Sequence, residues 1–164
     1  MLNTKEFNNI IKEESRTTTI ISLVLLTTVV IYFFLSMYVL SSLKMKVDKR
    51  MVDNLFQILN IISVVEIIII LAIRRTIYFS SKFIKSDMSL IEILRKWRSI
   101  DIALLAIAES ISIYGIILTI MGLPIIKTFQ FFVASALVIL IIMPVNWKVR
   151  DKIRTLQRYM EIKI

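Results

Sequence analysis

Residues 100–123 read IDIALLAIAESISIYGIILTIMGL. Wound as an α-helix, this stretch rises about 36 Å, more than the roughly 30 Å hydrocarbon thickness of a bilayer. Two charged groups interrupt it: Asp101 at its start and Glu109 near its middle. Three comparable apolar stretches cover residues 18–43, 55–73 and 129–145. None alternates polar and apolar residues as a barrel strand would, and lipid admits only segments that satisfy their own backbone hydrogen bonds. With 57% hydrophobic residues in a chain of 164, and a mean hydropathy of +0.80, the expected fold is an all-α integral membrane bundle of four transmembrane helices. The whole chain reads as a single membrane domain.

Composition narrows the chemistry. The chain contains no Cys and no His, which removes disulfides, thiol catalysis and most zinc, copper and haem ligation. Its carboxylates are too scattered to form a magnesium or calcium loop, so no metal and no cofactor is expected. No nucleophile sits with a base, no phosphate loop is present, and little mass lies outside the apolar stretches. The expectation is a protein without enzymatic activity. A formal net charge of +9 reports membrane orientation here and not a nucleic-acid partner.

Orientation follows from where the 21 Lys and Arg residues fall. Sixteen of them lie in residues 1–17, 74–99 and 146–164, and five lie in the other two connections. The positive-inside rule then puts both termini and the 74–99 loop in the cytoplasm, in a multi-pass protein of the cell's inner membrane. Trp97 and Trp147 flank spans on that side, as interfacial anchors would. No small-residue cleavage site follows the first span, so that span reads as a retained anchor.

Two cytoplasmic segments carry further signals. Ser89 and Glu92 have the S-x-x-E spacing of a capping box, which predicts a helix starting there, an interfacial element leading into the third span. In the 146–164 tail, Val149, Ile153, Leu156 and Met160 recur at helical intervals among basic residues. That pattern fits an amphipathic basic helix on anionic lipid headgroups, or a solvated extension of the fourth span.

Two acids fall inside the spans. Glu66 lies seven residues from the cytoplasmic end of the second span and Glu109 nine residues into the third, depths of roughly 10 and 14 Å. An ionised carboxylate at such depth costs at least ~2.5 kcal/mol, and no Lys or Arg lies deep in any span to pair with it. Candidate partners are the other acid, through a shared proton, or nearby polar groups: Asn60 and Ser63 on the second span, Ser110, Ser112 and Tyr114 on the third. One reading is a proton or sodium site. The other is a hydrogen-bonded contact that holds helices together. The third span also repeats small residues, Ala108, Ser112, Gly115, Thr119 and Gly122, at three- and four-residue steps, which allows close approach of another helix.

The segment AESISIYGIIL, residues 108–118, resembles the ion-carrying helix of rotary ATPase c-type proteolipids. In that family a membrane-embedded acid precedes an Ile-Tyr-Gly or similar tripeptide. The resemblance covers about residues 100–124 and implies an ion-binding role for Glu109, with Ile113, Tyr114 and Gly115 as the tripeptide. The chain departs from the family in the glycine-free 60–73 segment, in a joining loop of more than 20 residues, and in two additional spans. Across its length the chain is also similar to small uncharacterised bacterial four-span membrane proteins, through VVEIIIILAIRR and AESISIYGIIL; this implies a fold and no activity. The expected function is an accessory or assembly subunit of a prokaryotic membrane complex, contacting a partner membrane protein or further copies of itself through small-residue faces and basic cytoplasmic segments. The alternative is a proteolipid-like protein that handles protons or sodium through Glu109 and Glu66.

Overall fold

The computed structural model describes residues 4–42, 48–77, 88–144 and 149. Four α-helices form, α1 over Thr4–Ser42, α2 over Lys49–Ile77, α3 over Leu90–Ile120 and α4 over Ile125–Ile142, and no strand occurs among the described residues. All four are long and apolar enough to cross a membrane, which marks a multi-pass membrane protein. The surface supports the same conclusion. Ile126, Tyr38 and Ile61 are 84%, 69% and 66% exposed, while Ser112, Thr128 and Ser135 are wholly buried. An apolar exterior around small hydroxyl side chains is what a helical bundle adopts when lipid is its solvent, because close helix approach and hydroxyl bonds then drive association.

The helices overrun the apolar stretches that nucleate them. α1 begins at Thr4 and α2 at Lys49, since polar, helix-compatible residues continue the hydrogen-bond ladder beyond the lipid. The helix expected to start at Ser89 and lead into the third span forms, and no distinct interfacial element occurs among the described residues. Ser89 does open a helix: its side chain accepts from the Glu92 N–H and the Glu92 carboxylate accepts from the Ser89 N–H at 2.8 Å. That helix is α3 itself, continuous through Ile120, and residues 78–87 lie outside the described ones. Its first turns, with Glu92, Arg95, Lys96 and Arg98, stand outside the apolar stretch 102–120, whose length of about 28 Å already fills the hydrocarbon. The backbone hydrogen bond to Ser89 holds the Glu92 carboxyl below the usual carboxylate range, aided by Lys96 and Arg95. The proposed tail helix, residues 146–164, falls outside the described residues apart from Val149, as does Trp147.

Successive helices run antiparallel. α3 is central and touches the other three, α1 and α4 also pack on each other, and α2 sits chiefly on α3. One core joins Val29, Ile70, Leu104, Leu105, Ala108, Phe132 and Ile139; a second joins Val52, Ile111, Leu118, Leu123 and Phe131. Trp97, expected at the lipid interface, is instead 3% exposed, lining a small cavity with Ser15, Thr18, Asp101 and Pro144. Its position, one turn beyond Ile93 and Leu94 on the helix's buried stripe, turns it inward.

The connection from α3 to α4 is dictated locally. Gly122 has φ 90°, a conformation that a residue with Cβ resists. Its N–H donates to the Thr119 carbonyl at 2.9 Å and the Leu123 N–H to the Leu118 carbonyl at 3.0 Å. These two bonds, with the Leu118 and Leu123 side chains in one core cluster, make a Schellman motif, and Pro124 then begins the next helix. The result is a tight hairpin that presses α4 along α3.

Candidate functional site

The α3–α4 seam uses the small-residue stripe. A Cβ added at Gly115 would lie 2.8 Å from Cζ and 3.0 Å from Cε2 of Phe132, and 3.3 Å from Cβ of Phe131. Hydroxyls bridge the seam on either side. Ser135 donates to the Ala108 carbonyl at 2.7 Å, and the Thr119 and Thr128 hydroxyls are bonded at 3.1 Å. Ser112 is buried in the same face and returns its proton to the Glu109 carbonyl at 2.7 Å. Gly122 does not belong to this face. Having left the helix, it serves the turn. Ala108, Ser112, Gly115 and Thr119 are thus occupied by this chain's own α4, which leaves that face no room for another protein.

Phe33 extends the seam to α1. Its ring meets Phe132 and Phe129 edge-on, at centroid distances of 5.8 and 5.5 Å. At the other end of α1, Thr19 donates to the Ser15 carbonyl and reaches the Pro144 carbonyl at 3.1 Å. Ser22, Thr27 and Thr28 return their hydroxyls to carbonyls four residues back.

α2 is held at three levels. Near its start Asp53 and Lys127 form an ion pair of 3.7 Å with both side chains substantially exposed, worth little by itself, beside an edge-on contact between Phe56 and Phe131. At mid-membrane, Tyr114 donates its hydroxyl to Glu66 Oε1 at 2.7 Å, and Ser110 Oγ lies 3.5 Å from Oε2. Near its end, Arg74 donates through Nη1 to the Ile141 carbonyl and through Nη2 to the Ile142 carbonyl. Those carbonyls are at the C-terminus of α4, where unpaired acceptors and the negative end of the helix dipole attract a cation.

Proton counting at Glu66 shows what its contact can do. Ser110 has one hydroxyl proton and spends it on the Ile107 carbonyl at 2.6 Å, which leaves its lone pairs facing Glu66 Oε2. A proton on Oε2 completes a chain from Tyr114 through the carboxyl and Ser110 to Ile107. In that state the Tyr114 and Ser110 hydroxyls and both Glu66 carboxyl oxygens each have a partner, as a low-dielectric interior favours. The arrangement is a helix-to-helix clasp between α2 and α3.

The remaining candidate residues fall elsewhere. Ser63 is buried and donates to the Leu59 carbonyl at 2.8 Å. Asn60 and the Glu109 carboxyl make no side-chain hydrogen bond among the described residues. Glu109 lies about 100° around α3 from Ser110 and about 140° from Tyr114, so it faces away from Glu66. Of the two alternatives for Glu66, the other acid or nearby polar groups, its contacts are Tyr114 and Ser110, and the two acids lie on different flanks of α3. Glu109 is half-buried, on a strip with the exposed Ile102, Ala106, Ile113 and Ile120.

Three functional residues of the seams escaped the sequence reading. Arg74 looked like one basic residue among several after the second span, Thr19 like one hydroxyl among many, and Ser135 carried no signal at all. Only Arg74 had a legible cue, as the first cation past an apolar run, within reach of any neighbouring helix end. Among the described residues no group of three acids could hold a metal ion. No family model, curated protein or solved structure matches the chain.

Proposed function

We propose that this protein is a small, non-enzymatic accessory or assembly subunit of a prokaryotic membrane complex. One observation carries the reading: the chain satisfies Glu66 and its small-residue face internally, yet leaves the half-buried Glu109 carboxyl at mid-membrane without a hydrogen-bond partner among the described residues. An intramembrane acid is costly, and one that its own fold does not satisfy points to a group supplied from outside. In this reading both termini face the cytoplasm of an inner membrane, where the sixteen basic residues of that side favour anionic headgroups. The absence of native cysteine makes the orientation directly testable: a cysteine at Ser99 should label only from the cytoplasm, and one at Lys127 only from the opposite face. The function itself is tested by gentle extraction from the native membrane and native mass spectrometry. Stoichiometric association with a different membrane protein is the expected result, and a chain that is monomeric under all gentle conditions refutes the reading.

A second reading, proton or sodium handling in a proteolipid-like assembly, is favoured by the same half-exposed position of Glu109. A hydrophobic carbodiimide separates the two. An ion-carrying Glu109 in a homo-oligomer is labelled in the native membrane and protected by high pH or a competing cation. Resistance to labelling in membrane and detergent alike refutes ion carriage.

A further inference from the structure

We infer that Glu109 is the docking point for a partner transmembrane helix that presents a cationic side chain, Lys or Arg, at the same depth. The inference rests on the accessory-subunit reading and adds the chemistry of the partner. Its basis is the contrast between the two acids. Where the chain uses an acid as an internal contact it surrounds the carboxyl with hydroxyls, Tyr114 and Ser110 around Glu66. Among the described residues no hydroxyl bonds the Glu109 carboxyl. Ser110 is turned to Glu66 and Ile107, Ser112 is turned back onto the Glu109 backbone carbonyl, and Ile102, Ala106 and Ile113 line the exposed strip.

Ala106 stands one turn before Glu109 on neighbouring faces of the helix. Its small side chain leaves room for a long stem to lie along α3 and bring an ammonium or guanidinium to the carboxylate. No Lys or Arg of this chain lies within the apolar stretches at that depth. The nearest cation on α3 is Arg98, eleven residues or about 16 Å away along the helix axis, and Arg74 is committed to the end of α4. Charge complementarity therefore selects a different protein, and the pairing fixes the depth and rotation at which it docks.

The test uses the full chain purified from its native membrane, with the partner quantified by native mass spectrometry. Glu109→Gln keeps the size of the side chain and removes its charge, with one acceptor oxygen exchanged for an amide donor. It should lower partner recovery at least tenfold, while Glu13→Gln, an equal charge change on an exposed turn outside the span, leaves recovery intact. Because Glu109 is half-buried, unchanged elution and circular dichroism of the variant establish that the bundle survives. Glu109→Lys should likewise lose the partner, and a compensating Lys→Glu or Arg→Glu change in that partner should restore it. Wild-type recovery with Glu109→Gln overturns the cation pairing while leaving the subunit reading standing. A homo-oligomer without any second protein overturns the pairing, and recovery of no partner from wild type overturns both.

Discussion

Replacing Gly115 by Ala tests the packing on which the bundle depends. The new Cβ would lie 2.8 Å and 3.0 Å from two atoms at the tip of the Phe132 ring and 3.3 Å from the Phe131 Cβ. Carbon atoms attract best at about 3.5–4.0 Å, so the ring must retreat by roughly half an ångström or more and the backbone of α4 must give a little. The ring is not free to retreat, because Phe132 is 3% exposed and the Phe33 ring stands edge-on to it. Overpacking of this kind costs about 1–3 kcal/mol. In water the gain of up to ~1 kcal/mol from Ala over Gly in a helix would offset part of that. In lipid the helix is already formed before the helices associate, so the gain is shared by both states and the clash dominates.

The assay is reversible unfolding in mixed micelles, followed by the fluorescence of Trp97 with Trp147→Phe as the background. Phe132→Leu removes the ring tip and should cost about 1 kcal/mol alone. The double variant should be less destabilised than the sum of the two by at least ~0.5 kcal/mol. Strict additivity, or a Gly115→Ala protein as stable as the parent, would refute the close α3–α4 approach.

Three further predictions concern the attachment of α2 and the start of α3. Tyr114→Phe deletes the donor to Glu66 and should weaken the bundle by about 0.6–1.7 kcal/mol in the same titration; an equal effect in a Glu66→Ala background would show that the clasp does not exist. Arg74→Met leaves the last carbonyls of α4 without their cation, so amide exchange in the last turn of α4 should accelerate by on the order of tenfold; unchanged protection there would sink the capping role. Because the folded Glu92 carboxyl titrates below its free range, its contribution to the first turn of α3 is present at neutral pH and lost as pH falls through the folded value. Amide exchange should therefore show that turn fraying on acidification in the parent and not in Glu92→Gln.

The four helices were legible because lipid makes secondary structure a local problem. A run of about 20 apolar residues must close its own hydrogen bonds whatever surrounds it, and the apolar stretches at 55–73 and 129–145 therefore appear as the hearts of α2 and α4. Local rules also placed the start of α3, since Ser89 and Glu92 meet within one turn. The helix expected from that capping box leads into the third span as α3 itself, because nothing between Ser89 and Ile120 interrupts its hydrogen-bond ladder. Gly122 was misread because helical periodicity extended the small-residue stripe one step beyond the point where the Leu118–Leu123 contact and Pro124 end the helix.

The pairing of the two acids was not legible. Depth can be counted along a sequence, and the count brought Glu66 and Glu109 nearly level. Rotation cannot be counted in the same way, because it depends on which face of α3 each neighbour occupies. With α4 seated on the glycine side of α3, α2 meets the flank of Ser110 and Tyr114, and Glu109 is turned to a different flank.

The sequence by itself thus determined the class, the number of spans and their antiparallel order, since each follows from hydrogen bonding and hydropathy within one segment and its loops. Only the tertiary structure decided that the small-residue stripe is spent on α4, that Arg74 caps a helix 67 residues away in sequence, and that Glu66 is clasped while Glu109 is left outward. Those outcomes depend on the relative rotation of packed helices, which is fixed by the fit of side chains such as Phe132 against Gly115 and by no property of either helix alone.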